Sequence, residues 1–512
     1  MDQKARSVEN AAIIGLSLLL ALGIGLSFSV LLRGLNAPIL DYFYFRQTQT
    51  ALTAYWLAQG GPWLAYETPV LGAPWAIPFE FPVYQLIVAA LSKAHVPLDA
   101  AGRVVNYAFF MLTLVPLGML ARTLGVSRAA YLSVAVLFVF SPLYVYWSRT
   151  FMIENCALFF SVLWLAFLAA YLKRPRWTVL LGAVVAGSLA VLAKSTTLPA
   201  FLLLGGLATA WSLFRQFKAG DTLRLLLVVA VGGLVSAAIP LLLGFRWVAY
   251  SDAVKSANEL GVYLTSTALA GWNFGSMDQK LSASLWKDTV FGRVMPDALG
   301  SLYLFGIAAI LVAARPTRSF GLAVLAVLAF VTPFLLFTHL HMVHSYYQVA
   351  NAIFILIAVG LCIGLIFDQG RPLLAFTLLL LLIGGQLSYF RETYRTFLKA
   401  DYTLSPLYRA AMIARENTTP DQSIIVFGDD WSSAVIYYAE RKGFGVPWAL
   451  MPPALFERFV ADPQSFLGDR PLGAIVACPF GPAASPLQEE FLAHRRVIGE
   501  ADACRVLAAE RE

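Results

Sequence analysis

The sequence predicts an all-helical, polytopic membrane domain followed by a small α/β domain outside the membrane. Three observations lead there. The 512 residues are 59% hydrophobic and only 13% charged, whereas a soluble domain is about 25% charged. Apolar runs of spanning length recur through the first three quarters of the chain. The last quarter changes character, with short apolar runs between turn residues and acids.

The first element opens the chain. "MDQKARSVENAAIIGLSLLLALGIGLSFSVLL" has a basic head and then an apolar stretch long enough to span at about 20 residues. No small-residue cleavage pattern follows, so it reads as a retained first helix. Further runs lie near 101–121, 129–147, 153–172, 177–193, 197–214, 224–245, 299–314, 319–338, 346–367 and 372–390, giving eleven with the first at 11–32.

Lysine and arginine in short loops orient such a bundle. One set of junctions carries Lys4, Arg6, Arg122, Arg128, Lys173, Arg174, Arg176, Arg215, Lys218, Arg224, Arg315, Arg318 and Arg371; the short junctions opposite hold only Arg149 and Lys194. The first set is therefore expected in the cytoplasm, with the N-terminus. This also accounts for the net charge of +7: the cations face an anionic leaflet, and no nucleic-acid partner is implied.

The outer side then receives loop 33–100, loop 246–298 and the tail. Loop 33–100 is too apolar to be a solvated linker. "RQTQTALTAYWLAQGG" and "EFPVYQLIVAALSKAHV" read as interfacial helices lying flat at the outer surface. In the tail, "SIIVFGDDW" and "GAIVACP" read as strands, and "SSAVIYYAERKG" as a helix with a serine cap and a glycine stop. The expected division is 1–390 for the membrane domain and 391–512 for the outer α/β domain. Of the four cysteines, Cys156 and Cys362 fall in apolar runs. Cys478 and Cys504 are free to pair if the tail lies outside the cytoplasm. With no C-x-x-C, zinc-ribbon and thioredoxin-like readings fail.

Asp41, Arg46, Glu67, Glu80, Arg149, Glu154, Lys194, His339, His341 and His344 are all expected at the outer face. Taken singly, each suits a solvated helix end. As a set they suit a polar cavity, because charges at membrane depth face a cavity or each other. Asp41 can act as a base toward an incoming hydroxyl or amine. Arg46, Arg149 and Lys194 can hold a phosphate, arginine through a fork and lysine as a point charge. His344, Tyr346 and Tyr347 can bind a phosphate or pack on a sugar ring, and Glu80 joins them as a substrate contact. His339 and His341 stand two apart, not at the four-residue spacing that places two ligands on one helix face. A divalent metal is therefore not favoured, and no cofactor is expected.

The stretches "LDYFYFRQTQTA", "EFPVYQLI", "SPLYVYWSRTFMIEN", "LAKSTTLPAF" and "HSYYQVANAI", in this order and at outer junctions, resemble the GT-C superfamily of integral-membrane glycosyltransferases. Within it, the protein O-mannosyltransferase-like and aminoarabinose-transferase-like enzymes are most similar. The resemblance implies a sugar donor on a polyprenyl phosphate and transfer on the periplasmic side of a bacterial inner membrane. The acceptor would be a lipid, a glycan or a protein, and the anomeric centre would invert. It makes Asp41 the loop acid that serves as catalytic base and Glu154 the second acid. It sets Arg46 and Lys194 on the donor phosphate and lets His344 and Tyr346 line the site. The sequence departs from the pattern at Tyr42, where relatives often carry a second acid beside the first. The competing readings are a secondary transporter, which would place its polar residues at mid-membrane on broken helices, and a lipid-binding membrane scaffold.

Overall fold

The computed structural model describes residues 3–511, with side chains from 9 to 510. The side chains of Lys4 and Arg6, expected among the cytoplasmic cations, lie outside that range. Every predicted apolar run carries a helix. Among the described residues, seven helices are long and apolar enough to cross a membrane, and Ser284–Leu299 with Leu304–Ala313 forms an eighth bent by 83°. Arg128–Phe140, Trp177–Ala193 and Ala352–Asp368 are shorter than the ~20 residues of a full crossing.

Trp177–Ala193 fills its predicted run end to end, whereas three other runs are shortened locally. The run 129–147 is cut at Ser141, which takes ψ 124° ahead of Pro142. A residue before proline is pushed out of the helical region. Run 299–314 begins as helix only at Leu304, because Gly300 sits at φ +85° with the backbone of Gly385 and Gln386 where a Cβ would be. Run 346–367 starts as a 3₁₀ turn, Ser345–Ala350.

The helix Ala352–Asp368 is the bundle's centre, buried almost throughout. Gly360 and Gly364 let it approach Arg128–Phe140 so closely that a Cβ would lie 2.6 Å from Val134 and 2.2 Å from Ala130. Small residues four apart permit such backbone approach where lipid supplies no hydrophobic drive. Gly364→Leu is expected to destabilise the detergent-solubilised protein by at least the ~1–3 kcal/mol of ordinary overpacking, read as a fall in melting temperature.

The helix Tyr44–Ala58 is more enclosed than a surface-lying helix. Residues 47–54 are all buried, because the tail domain covers them. The Tyr44 hydroxyl donates to Asp429 Oδ1 at 2.7 Å. Its buried threonines are satisfied locally, and Thr53 also pairs with Thr68 at 2.8 Å. Val83–Lys93 buries one face only, as an amphipathic helix should.

The tail forms a five-stranded sheet in the order β2-β1-β3-β5-β4, from β1 Ser423–Phe427, β2 Lys442–Gly445, β3 Leu472–Ala477, β4 Arg495–Ala501 and β5 Cys504–Arg511. The strands β2, β1 and β3 are parallel; β5 is antiparallel to β3 and β4. Cys478 and Cys504 are disulfide-bonded, joining the end of β3 to the start of β5. The predicted helix is only Ala434–Ala439. Glycine does not stop it: Glu440 turns left-handed at φ 54°, and Gly443 and Gly445 belong to β2. The predicted serine cap is also absent at Ser433; Ser432 Oγ instead accepts from Ala434 N at 3.2 Å.

The free edge of β2 is paired by residues 69–72 of loop 33–100. Gly443 N donates to Pro69 O at 3.1 Å, Gly445 N to Val70 O at 2.8 Å and Gly72 N to Gly443 O at 3.2 Å. This removes an edge that would otherwise seek another strand. Tyr437 and Tyr438 donate to Asp99 at 2.6 and 2.9 Å. One hydrophobic core runs through loop 33–100 and the sheet. The tail is thus seated on the membrane bundle directly over Asp41 and Arg46.

Candidate active site

The loop 147–151 is built on an asparagine pair. Asn106 Nδ2 donates to Trp147 O at 2.7 Å and Thr150 O at 2.8 Å, while Asn155 donates to Asn106 Oδ1 at 2.9 Å. That presents Arg149 to Asp41, Nη2 to Oδ2 at 2.8 Å, with both side chains almost fully buried. The Gln47 amide donates to the other Asp41 oxygen and to Tyr42 O, and its carbonyl accepts from Phe151 N at 3.0 Å. Arg103, wholly buried, donates to the carbonyls of Leu35 and Ala37 and so fixes the chain leading into Asp41.

A second group lies alongside. Segment 78–81 is held by five bonds, of which the first runs from the Ser251 hydroxyl to Pro78 O at 2.6 Å. Phe79 N donates to the Tyr66 hydroxyl, which in turn donates to Glu80 O, and Trp247 Nε1 donates to Phe79 O. Phe81 N donates to Leu192 O at 3.0 Å, which brings Glu80 beside the residue pair ahead of Lys194. Arg46 forks, one nitrogen to Glu80 at 2.5 Å and the other to Gln49 Oε1 at 2.5 Å. Lys194 pairs with Glu154 Oε1 at 2.7 Å. Glu154 opens a helix, where an acid is favoured by the unpaired amides and the dipole. The Lys194 ammonium stands 3.8 Å from the Tyr347 ring centroid and 5.1 Å from that of Tyr346, a cation–π arrangement. His344 packs on Tyr346, Tyr347 and Phe43 at 5.2, 5.7 and 5.8 Å.

The electrostatics follow from this crowding. Burial alone would raise the Glu80 carboxyl, but Arg46 and Lys194 outweigh it and hold it below its usual range. Burial, helped by Lys194 and Arg46, lowers His344 to about 4; burial lowers His341 to about 3. Both imidazoles are neutral near pH 7. Since the unfolded chain takes up these protons near pH 6.5 and the folded chain does not, stability is full above that pH. It is lost as pH falls from about 6.5 toward 4 for His344 and toward 3 for His341. Melting temperature is expected to drop over that interval, and His341→Leu to make the drop shallower. An unchanged slope in the variant would count against this assignment.

Seven of the predicted site residues meet: Arg46, Glu80, Glu154, Lys194, His344, Tyr346 and Tyr347. Asp41 and Arg149 form the adjoining, more enclosed pair. The two groups are linked by Gln47, next to Arg46 in the helix, and by Phe43, whose ring lies 5.2 Å from Tyr346. Glu67 stands apart, paired with Lys442 at 2.6 Å. His339 stands apart with Gln279 and Trp272. Among the described residues, no group of three His, Cys, Asp or Glu is arranged to hold a metal. Gln47, Arg103 and Asn106 organise the site and were assigned no role in it from the sequence. The signal was present for two of them: Arg103 and Asn106 interrupt an apolar run, and polar residues there are expensive. From the tail, Trp431 packs on Phe45 and Phe79 at 4.9 and 6.3 Å and closes the outer edge beside Arg46.

Two fixed cations in an aromatic, water-poor setting can stabilise an anion, and carboxylates beside them can orient or deprotonate a hydroxyl. In backbone, the molecule is similar to ArnT from Cupriavidus metallidurans bound to undecaprenyl phosphate. The TM-score is 0.63 at 13% identity, covering 95% of this chain and 97% of that one. The chain has the GT-C fold. The apo form of the same ArnT gives a TM-score of 0.61 over the same shares at 13% identity. Arabinofuranosyltransferase AftD from Mycobacteria gives 0.51 at 13% identity, covering 96% of this chain but 40% of that one. Residues 81–252 match the family described as dolichyl-phosphate-mannose-protein mannosyltransferase. No curated protein matches the sequence. The family match includes Arg149, Glu154 and Lys194, whereas Asp41, Arg46 and His344 lie outside it.

Proposed function

We propose that the chain is a glycosyltransferase that moves a sugar from a polyprenyl-phosphate donor to a lipid, glycan or protein acceptor on the side of the tail domain. The observation that carries the reading is the convergence of Arg46–Glu80 and Lys194–Glu154 beneath Tyr346, Tyr347 and His344. Five segments far apart in sequence are brought to one end of the bundle. In the proposed reaction the acceptor oxygen or nitrogen attacks the anomeric carbon, with inversion. The bond from that carbon to the phosphate oxygen breaks, and polyprenyl phosphate leaves with both bonding electrons. Lys194 and Arg46 hold the growing phosphate charge, as preorganised cations do at low local dielectric, with Arg149 behind them. Asp41 takes the acceptor proton and Glu154 holds Lys194 in place. The acyclic part of the donor remains in lipid. The same reading puts residues 1–390 in a bacterial inner membrane with the N-terminus in the cytoplasm, and residues 391–512 and the site in the periplasm.

One observation favours a second assignment of the base. The Glu80 side chain is 21% exposed, that of Asp41 1%, so Glu80 is the more reachable carboxylate. The experiment is mass spectrometry of lipids bound to the purified protein, followed by transfer assays with the donor so identified on Asp41→Asn and Glu80→Gln. Loss in the first with retention in the second supports Asp41; the converse moves the base to Glu80. A protein that holds no prenyl phosphate and transfers no sugar removes the enzymatic reading in favour of a transporter or scaffold.

A further inference from the structure

At the end of the bundle opposite this site, a cavity of about 870 Å³ opens between six helices, Leu114–Leu124, Arg128–Phe140, Glu154–Lys173, Leu198–Lys218, Arg318–Leu336 and Ala352–Asp368. It is at the upper end of the ~300–1,000 Å³ usual for ligand sites. Its walls are apolar, from Phe201 and Phe354 at the inner end to Trp211 near the mouth. From Phe201 to Arg215 the helix advances about 21 Å at 1.5 Å per residue, more than the ~15 Å hydrocarbon depth of one leaflet. The mouth is basic: Lys173, Arg215 and Arg318 all line it, against the single acid Asp221. Among the described residues none of the three cations makes an ion pair. Lys173 donates only to the Thr123 carbonyl, at 3.2 Å. Trp211 is 61% exposed, and tryptophan is favoured at headgroup depth.

We infer that this cavity is a binding site for an anionic phospholipid, its acyl chains between the helices and its phosphate on Arg215, Arg318 and Lys173. Charge selects the occupant. A zwitterionic lipid would bring its own cation to a rim with three already, whereas an anionic headgroup completes pairs that the protein leaves open. Depth selects it too, because the groove accepts the chains of one leaflet without reaching the Lys194 site. The two sites share walls: the helix that starts at Glu154 ends at Lys173, and the one that follows Lys194 ends beyond Arg215. The lipid would therefore brace the helices that carry the Lys194–Glu154 pair.

The test is native mass spectrometry of the full-length protein in detergent, titrated with phosphatidylglycerol and, separately, phosphatidylethanolamine. Phosphatidylglycerol is expected to be retained about tenfold more strongly. Arg215→Gln/Arg318→Gln should abolish that preference, and Ala208→Phe, which obstructs the groove between the helices without altering charge, should sharply weaken retention itself. Melting temperatures without added lipid report whether the variants fold. Equal retention of the two lipids overturns the inference. So does retention that Ala208→Phe leaves unweakened, which would put the lipid on the outer surface. So does displacement of phosphatidylglycerol by equimolar undecaprenyl phosphate, which would make the cavity the donor's own.

Discussion

Replacing Lys194 by methionine is expected to lower sugar transfer by about three orders of magnitude and to weaken donor binding as well. The ammonium is the most deeply placed cation of the group, 2.7 Å from Glu154 and 3.8 Å from the Tyr347 ring. Removing one preorganised group that meets developing negative charge costs about 10²–10³ in rate, and the loss here is of a full charge. The variant also strands Glu154, whose Oε2 has no hydrogen-bond partner. Breaking one side of a buried pair costs about 3–5 kcal/mol. Low yield alone would therefore decide nothing. The companion is Lys194→Met/Glu154→Gln, which removes both charges at similar volume and should recover most of the melting temperature while transfer stays low. Lys194→Arg should keep the charge but not the placement over Tyr347, and fall between. If the double variant transferred sugar at the wild-type rate, Lys194 would be a structural counter-ion and the phosphate would bind elsewhere.

Much of this site was legible in the sequence for a simple reason. One of the two sets of short junctions carries few cations, so Lys194 and Arg149 stood out against a background that explains cations elsewhere. Partners were less legible. Nothing in the spacing of Asp41, Arg46, Arg149 and Glu154 says which acid meets which base. That depends on how loop 147–151 hangs from Asn106 and how segment 78–81 hangs from Tyr66 and Trp247. The reading placed Arg46 and Lys194 as free phosphate holders, and the fold gives each a carboxylate. Helix positions followed from hydropathy, but helix ends did not wherever backbone geometry overrode it, as at Ser141–Pro142 and Gly300. The tail shows the same limit. Gly443 looked like a helix stop, yet a Cβ there would lie 2.9 Å from Ile424 O. That glycine instead sits in β2 between β1 and residues 69–72, the latter a pairing across more than 370 positions that no local pattern records.

Asp41→Asn is expected to reduce transfer by about 10²–10⁴, the usual worth of a general base, while leaving polyprenyl-phosphate binding near wild type. The contrast with Lys194 is the discriminating feature. A base acts on the acceptor, so its loss lowers kcat with little change in donor KM; a phosphate contact changes both. The amide keeps the shape of the carboxylate and can still accept from Gln47, so the loop should hold. Arg149 then loses its counter-ion in a site where it is almost wholly buried, and some stability goes with it. Asp41→Asn/Arg149→Met restores neutrality and should regain stability without regaining transfer. Rescue of transfer by neutralising Arg149 alone would mean that the pair locks the loop and performs no proton transfer. The role would then pass to Glu80, which lies at the open edge between Arg46 and Lys194 and would need only a small rotation away from the Arg46 fork to meet an acceptor.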